Sequence, residues 1–288
     1  MWRDMFMDNG AFKLDFIGVG SGKCGSTWFY ENIVKHPDFY SDNPKEINYF
    51  SDLYTQHDFD WYRSQFKGAK ENQLKGEFSV TYMYHPEAAR RIYKHFPQVK
   101  IIAIVRDPIK RTYSDYLHAI RKGDIPASQP FSEYIKDEKK LKFGHYETYL
   151  KQFFDIFPKE QIKIIVLEEF SRDYAKGFRE IYEFLGVKNP DFIPPGVEEK
   201  RNEARSYRFL LLENIMVRTY RFLAKSGYTR LTELIKRTGI PELMRRLNMS
   251  SKPLPAMDTF SKQKLSEYFS NEKRFVSALT GSKLSAWE

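Results

Sequence analysis

The chain has 288 residues, of which 41% are hydrophobic, 16% aromatic and 30% charged, a globular composition with ample material for a buried core. No run approaches the roughly 18 apolar residues a membrane span needs, and Asp4 and Asp8 interrupt any charged-then-apolar leader at the start. With one cysteine, Cys24, an intrachain disulfide framework and a cysteine-cluster metal site are both excluded, and the expectation is a cytoplasmic protein. The net charge of +9 is uneven: residues 200–252 carry thirteen Lys/Arg against four Asp/Glu. Such a segment attracts anions such as sulfated glycans or lipid head groups, or it is a solvated helix face. No nucleic-acid module signature accompanies it.

Leu14 to Val19 is a short apolar run of the kind expected for a buried parallel strand. It breaks into Gly18, Gly20, Gly22 and Gly25, with Lys23 among them and Ser26-Thr27 closing the stretch. Ser26 to Lys35 suits a helix, which His36-Pro37 stops. Strand, glycine-rich loop and helix together build a phosphate cradle: glycines let backbone N–H groups approach an anion, and the helix N-terminus adds partial positive charge. A nucleotide triphosphatase loop would carry glycine five residues before Gly22-Lys23 and Ser/Thr after the lysine. Here those positions are Ile17 and Cys24, so the hydroxyl that holds Mg²⁺ is missing and no bound metal is expected.

Asp38-Phe39-Tyr40 reads as a short strand, followed by NPKEINYFSD at 43–52. Trp61, Tyr62 and Phe66 fit one helix face packed into a core, with a sugar-stacking platform as the sharper alternative. Residues 73–78 form a second strand and 86–96 a helix ending before Pro97. Lys100 to Val105, KIIAIV, is the clearest strand and runs into Arg106-Asp107-Pro108. Asp107 can cap a helix and Pro108 suits its first position. That helix, to about Lys122, sets Lys110, Arg111 and Ser114 on one face. Arg106 thus leaves the carboxyl end of a central strand, where ligands bind in open α/β sheets; its structural alternative is an ion pair with a carboxylate.

Residues 131–157 read as helices, 162–167 as a buried strand and 174–185 as a helix stopped by Gly186. Strands alternating with helices imply an α/β fold, a central parallel sheet with helices on both faces. A Pro-rich linker at 187–204, amphipathic helices over 207–247, a loop SSKPLP at 250–255 and a final helix at 260–279 complete the chain.

The segments FIGVGSGKCGSTWFYENIVKHP, KEINYF, IIAIVRDPIKRTYSDY, IKIIVLEEF and a final SAW, in this order, resemble the sulfotransferases that use 3′-phosphoadenosine-5′-phosphosulfate (PAPS), in particular the heparan sulfate type. The resemblance implies one sulfotransferase domain over 1–288, with 205–250 as a helical insertion without counterpart that is a candidate for acceptor or peripheral membrane contact. It implies that Gly22, Lys23, Cys24, Gly25, Ser26 and Thr27 hold the 5′-phosphosulfate. Arg106 and Ser114 then hold the 3′-phosphate, and Lys252 lies in a loop closing over the cofactor. Glu46 becomes the catalytic carboxylate beside Lys23, and a glycan or glycolipid hydroxyl the acceptor. Partial desolvation by Tyr49, Phe50 and Phe78 would help such a base. His118 is its rival, while His36, at a helix end, reads as structural. One departure stands out: Phe78, in Glu77-Phe78-Ser79-Val80, takes the place of a lysine that faces the reaction centre in that type, and Lys45 is the candidate substitute. The other classes the residues allow are a Mg²⁺-dependent kinase-like enzyme and a non-catalytic polyanion-binding protein.

Overall fold

The computed structural model describes residues 12–40, 45–126, 128–198 and 256–287, together with Thr238. Four strands, β1 (Phe16–Gly20), β2 (Gly76–Phe78), β3 (Lys100–Val105) and β4 (Ile162–Val166), form one parallel sheet in the order β2-β1-β3-β4. Phe16 pairs with Gly76 on one side and Lys100 on the other, and Ile101 pairs with Ile162. Among the described residues the helices are α1 (Ser26–Ile33), α2 (Phe59–Ser64), α3 (Ala88–His95), α4 (Pro108–Lys122), α5 (Phe131–Tyr134), α6 (Glu138–Leu141), α7 (Tyr146–Phe154), α8 (Leu167–Phe170), α9 (Tyr174–Leu185), α10 (Thr259–Tyr268) and α11 (Ser270–Thr280). None of them is long and apolar enough to cross a membrane.

Two compact units divide the chain. The first comprises Met1–Arg111, Lys142–Glu199 and Ser266–Glu288, and it holds the whole sheet. Side chains alternate across a strand, so each strand feeds two cores. Ile17, Val19, Ile101, Ala103 and Val105 join α3, α7 and Val276 of α11 on one face. Phe16, Phe78, Ile102, Ile104 and Ile165 join α1, Phe170 and α9 on the other. Helices therefore cover both faces, as the alternating pattern requires. The second unit comprises Thr112–Leu141 and Lys200–Leu265. Within it Tyr116, Phe131 and Tyr134 pack ring against ring, and the Tyr116 hydroxyl donates to the Gln129 carbonyl at 2.6 Å. Apart from Thr238, the 205–250 segment and the 250–255 loop lie outside the described residues.

Three boundaries differ from the sequence reading. The strand expected at 38–40 is reduced to a single bridge between Phe39 and Leu74, and β2 keeps only three residues. The helices expected over 131–157 are α5, α6 and α7, with a tight turn at Lys142–Gly144 between the last two. The final helix is two helices, α10 and α11, that part at Phe269, whose ring occupies the space over Gly144, where a Cβ would meet it at 2.7 Å. Trp61, Tyr62 and Phe66 serve the core: Tyr62 and Phe66 are buried and Trp61 packs against them.

Candidate active site at the carboxyl edge of the sheet

Parallel strands bring their carboxyl ends to one edge, so the loops after β1, β2, β3 and β4 share it. The loop after β1 is tied down first. The Ser21 N–H donates to the Ile104 carbonyl at 2.8 Å, and the Ser21 hydroxyl pairs with the Tyr84 hydroxyl. Lys23 (φ 69°) and Gly25 (φ 80°) both take the left-handed conformation. At Gly25 a side chain would be strained and would crowd Leu167 at 3.1 Å. Two guanidinium groups hold the loop carbonyls: Arg111 donates to Gly22 O at 3.4 Å and Arg106 to Lys23 O at 3.3 Å. The first helical bond of α1 runs from Phe29 N–H to Gly25 O at 3.0 Å. The N–H groups of Ser26, Thr27 and Trp28 precede it and form the open, partially positive end of the helix. Cys24 is buried, with its sulfur 3.8 Å from the Tyr146 hydroxyl and 3.7 Å from Gly22 O. Burial pushes its thiol up, partly offset by the Arg111 charge.

After β3, Arg106 stays close to the loop. The Tyr146 hydroxyl, beside Cys24, donates to Arg106 O at 2.6 Å. The ion-pair alternative is also realised, loosely: Arg106 Nε lies 3.9 Å from Glu168 Oε1, just after β4. Glu168 accepts the Asp107 N–H at 3.1 Å and the Trp287 indole N–H at 3.0 Å as well. Asp107 caps α4 as the sequence predicts, accepting the Ile109 N–H at 2.8 Å.

After β2 comes the cradle of Glu46. Its backbone N–H donates to Phe78 O at 3.1 Å, and one carboxylate oxygen accepts the Val80 N–H at 3.0 Å. The other oxygen accepts from the Lys45 ammonium, which lies 5.7 Å from the Phe78 ring centre. The turn that presents Glu46 has two left-handed residues, Glu46 (φ 64°) and Asn48 (φ 55°). Val80 links this turn to the phosphate loop, since a Cβ at Gly22 would lie 4.0 Å from Val80 Cγ2. Glu46 remains 34% exposed. The expected desolvation falls on Glu77 instead, which is fully buried and accepts the hydroxyls of Tyr62 (3.0 Å), Ser79 (2.7 Å) and Tyr82 (2.8 Å). Burial pushes its carboxyl up to about 7. Tyr49 and Phe50 belong to the aromatic core around Tyr62. Phe78 is core too, wedged over Gly18 and against Phe29.

The residues from Gly22 to Thr27, Arg106 and Glu46 therefore gather within the first unit. Ser114 lies on α4 in the second unit, one turn beyond Arg111. Lys252 lies outside the described residues. His36 is structural: it is buried, with Nε2 3.0 Å from Asn189 O, and its Nδ1 accepts the Asp38 N–H at 3.1 Å. His118 pairs with Arg121 at 2.8 Å. Tyr146, Glu168 and the roles of Arg111 and Glu77 escaped the sequence reading. The one available signal was a charged residue just after an apolar strand, visible for Glu168 after β4 and not for Tyr146 or Glu77.

The family described as "Sulfotransferase domain" matches residues 13–210. Bifunctional heparan sulfate N-deacetylase/N-sulfotransferase 3 of Homo sapiens is 29% identical over 193 residues, 60% of this chain and 22% of that protein. Heparan sulfate glucosamine 3-O-sulfotransferase 3A1 of Mus musculus is 28% identical over 193 residues, 64% of this chain and 49% of that protein. The chain thus spans at most about half the length of these curated relatives. A crystal structure of a sulfotransferase from Alicyclobacillus acidocaldarius superposes with a TM-score of 0.68 at 25% identity, covering 96% of this chain and 99% of that one. With the family match covering more than half its length, this chain belongs to the sulfotransferase domain family.

Proposed function

We propose that the protein transfers a sulfuryl group from PAPS to a hydroxyl of a carbohydrate or glycolipid acceptor, with Glu46 as the general base. The observation that carries this reading is the convergence of an open N–H loop, a lysine, an arginine and a held carboxylate at one sheet edge. When bound, PAPS supplies the sulfuryl group and leaves as PAP. The donor set suits its anions: Arg106 and Arg111 engage the loop carbonyls, and the N-terminal N–H groups of α1 together with the positive charge of Lys23 suit a phosphate. The position that would offer Mg²⁺ a hydroxyl holds a buried thiol instead.

Catalysis of this kind is positioning plus electrostatics. Lys23 and the loop N–H groups neutralise charge that collects on the leaving phosphate, and Glu46 takes the proton of the acceptor hydroxyl. Each Glu46 oxygen already accepts one bond, and a carboxylate oxygen has a second lone pair for that proton. Arg106 and Ser114 hold the 3′-phosphate. The heparan sulfate relatives support a carbohydrate acceptor.

The test is calorimetric titration of PAP and ATP with and without EDTA, followed by a mass-spectrometric acceptor screen with PAPS. PAP should bind without divalent metal, and Lys23→Ala should weaken it by about 1.5–3 kcal/mol. Glu46→Gln should lower turnover roughly 10²–10⁴-fold and leave PAP affinity unchanged. Binding of Mg²⁺–ATP without PAP binding would overturn the sulfuryl-transfer reading; near-normal turnover of Glu46→Gln would overturn the assignment of the base.

A further inference from the structure

The turn that presents Glu46 is not self-supporting. Glutamate at φ 64° occupies a region that costs an L-residue with a Cβ, and Asn48 at φ 55° repeats the demand two residues later. Such a turn persists only when its surroundings dictate it. The bonds that dictate it come from the end of β2. Ser79 Oγ accepts the Asn48 N–H at 3.0 Å, and Thr81 Oγ1 donates to Asn48 Oδ1 at 2.7 Å. The Asn48 side-chain amide in turn donates to Glu46 O at 2.8 Å.

The Ser79 hydroxyl has one hydrogen, and Glu77 decides where it points. In its ionised form the Glu77 carboxylate only accepts, so Tyr62, Tyr82 and Ser79 all donate to it. With its hydrogen committed to Glu77 Oε2, Ser79 can offer Asn48 only a lone pair, which a backbone N–H requires. Glu77 is sealed from water on the same strand whose next residues, Phe78 and Val80, bond Glu46 directly. A fully buried carboxylate that a core could replace with an apolar residue is costly to keep.

We infer that Glu77 and Ser79 are positioning residues for Glu46: the buried carboxylate orients the Ser79 hydroxyl, which locks the 46–48 turn and thereby aims the Glu46 carboxylate. This rests on the reading of Glu46 as the base, and the test separates the two. Ser79→Ala, a small change, should lower kcat at least tenfold with the Kd for PAP within twofold of the parent. Glu77→Gln should act in the same direction if it folds. In a Glu46→Gln background, Ser79→Ala should change the residual turnover less than twofold, because the group it aims is already gone. A purely structural lesion would be as damaging there as in the parent. A crystal structure of Ser79→Ala gives a readout free of activity: the Glu46 carboxylate should leave the Val80 N–H. If Glu46 stays in place, or if the losses are equal in both backgrounds, the inference is overturned whatever Glu46 does. If the carboxylate moves while Glu46→Gln retains turnover, the positioning stands as geometry and the assignment of the base is what fails.

Discussion

Glu46 and Glu77 lie at the same end of β2 in opposite surroundings, one a third exposed and ion-paired to Lys45, the other without water and held by three hydroxyls. Burial raises the Glu77 carboxyl from 4.5 to about 7; the Ser79, Tyr82 and Tyr62 hydroxyls pull it down and the Glu46 charge pushes it up. Between those values the folded protein binds a proton that the unfolded chain has released, so stability falls as pH rises from about 4.5 to 7 and levels off above. The loss is on the order of 3 kcal/mol. His95, lowered to about 4 chiefly by burial, acts in the opposite sense as pH rises toward 6.5. Comparing wild type with Glu77→Gln removes His95 from the difference. Denaturation at several pH values should show the variant gaining on wild type across the window that Glu77 titrates. A difference independent of pH would contradict a buried, titrating Glu77.

At the scale of elements, Gly18 of β1 pairs with Phe78 of β2, and the Phe78 ring lies in the space a side chain on Gly18 would fill. A Cβ on Gly18 would lie 1.9 Å from the Phe78 ring, which is fully buried and packs against Phe29 of α1. The aromatic at 78, where the resembling family carries a lysine, therefore fills the space over Gly18, between two strands whose ends carry the glycine-rich loop and the turn of Glu46. Gly18→Ala should cost about 1–3 kcal/mol in urea unfolding, the usual price of overpacking a core. Adding Phe78→Leu should return part of it, since the two sites share one space. Losses from the single substitutions that simply sum in the pair would show that residues 18 and 78 do not compete for one space.

At the scale of the molecule, the residues after α11 return to the sheet edge. Trp287 packs into the core under α7, its indole N–H bonds Glu168, and Lys110 donates to Ala286 O at 2.7 Å. Glu168 is shared between this tail, the start of α4 and Arg106. Trp287→Phe keeps an aromatic ring and removes the donor, so one Glu168 oxygen loses its partner at about 1–3 kcal/mol. The freed carboxylate then draws on Arg106, and PAP affinity should fall together with stability. Reduced stability with unchanged PAP affinity would confine the tail to a structural part.

The sequence by itself determined two strand–loop–helix units, β1 with its loop and α1, and β3 with Arg106 and α4. In both, every signal is local: an apolar run, glycines or Asp-Pro at the break, and an amphipathic helix after it. The α/β class followed from their alternation, and KEINYF marked Glu46 by resemblance. Only the tertiary structure decided how Glu46 is held, because its partners Val80, Phe78 and Ser79 come from another strand end far along the chain. It also decided which carboxylate is desolvated, placing the core around Glu77 rather than Glu46, and why residue 78 is apolar. Burial is a property of what packs on a residue from elsewhere, and neither Tyr62 and Tyr82 closing on Glu77 nor Trp287 closing on Glu168 leaves a periodic trace in the residues beside it.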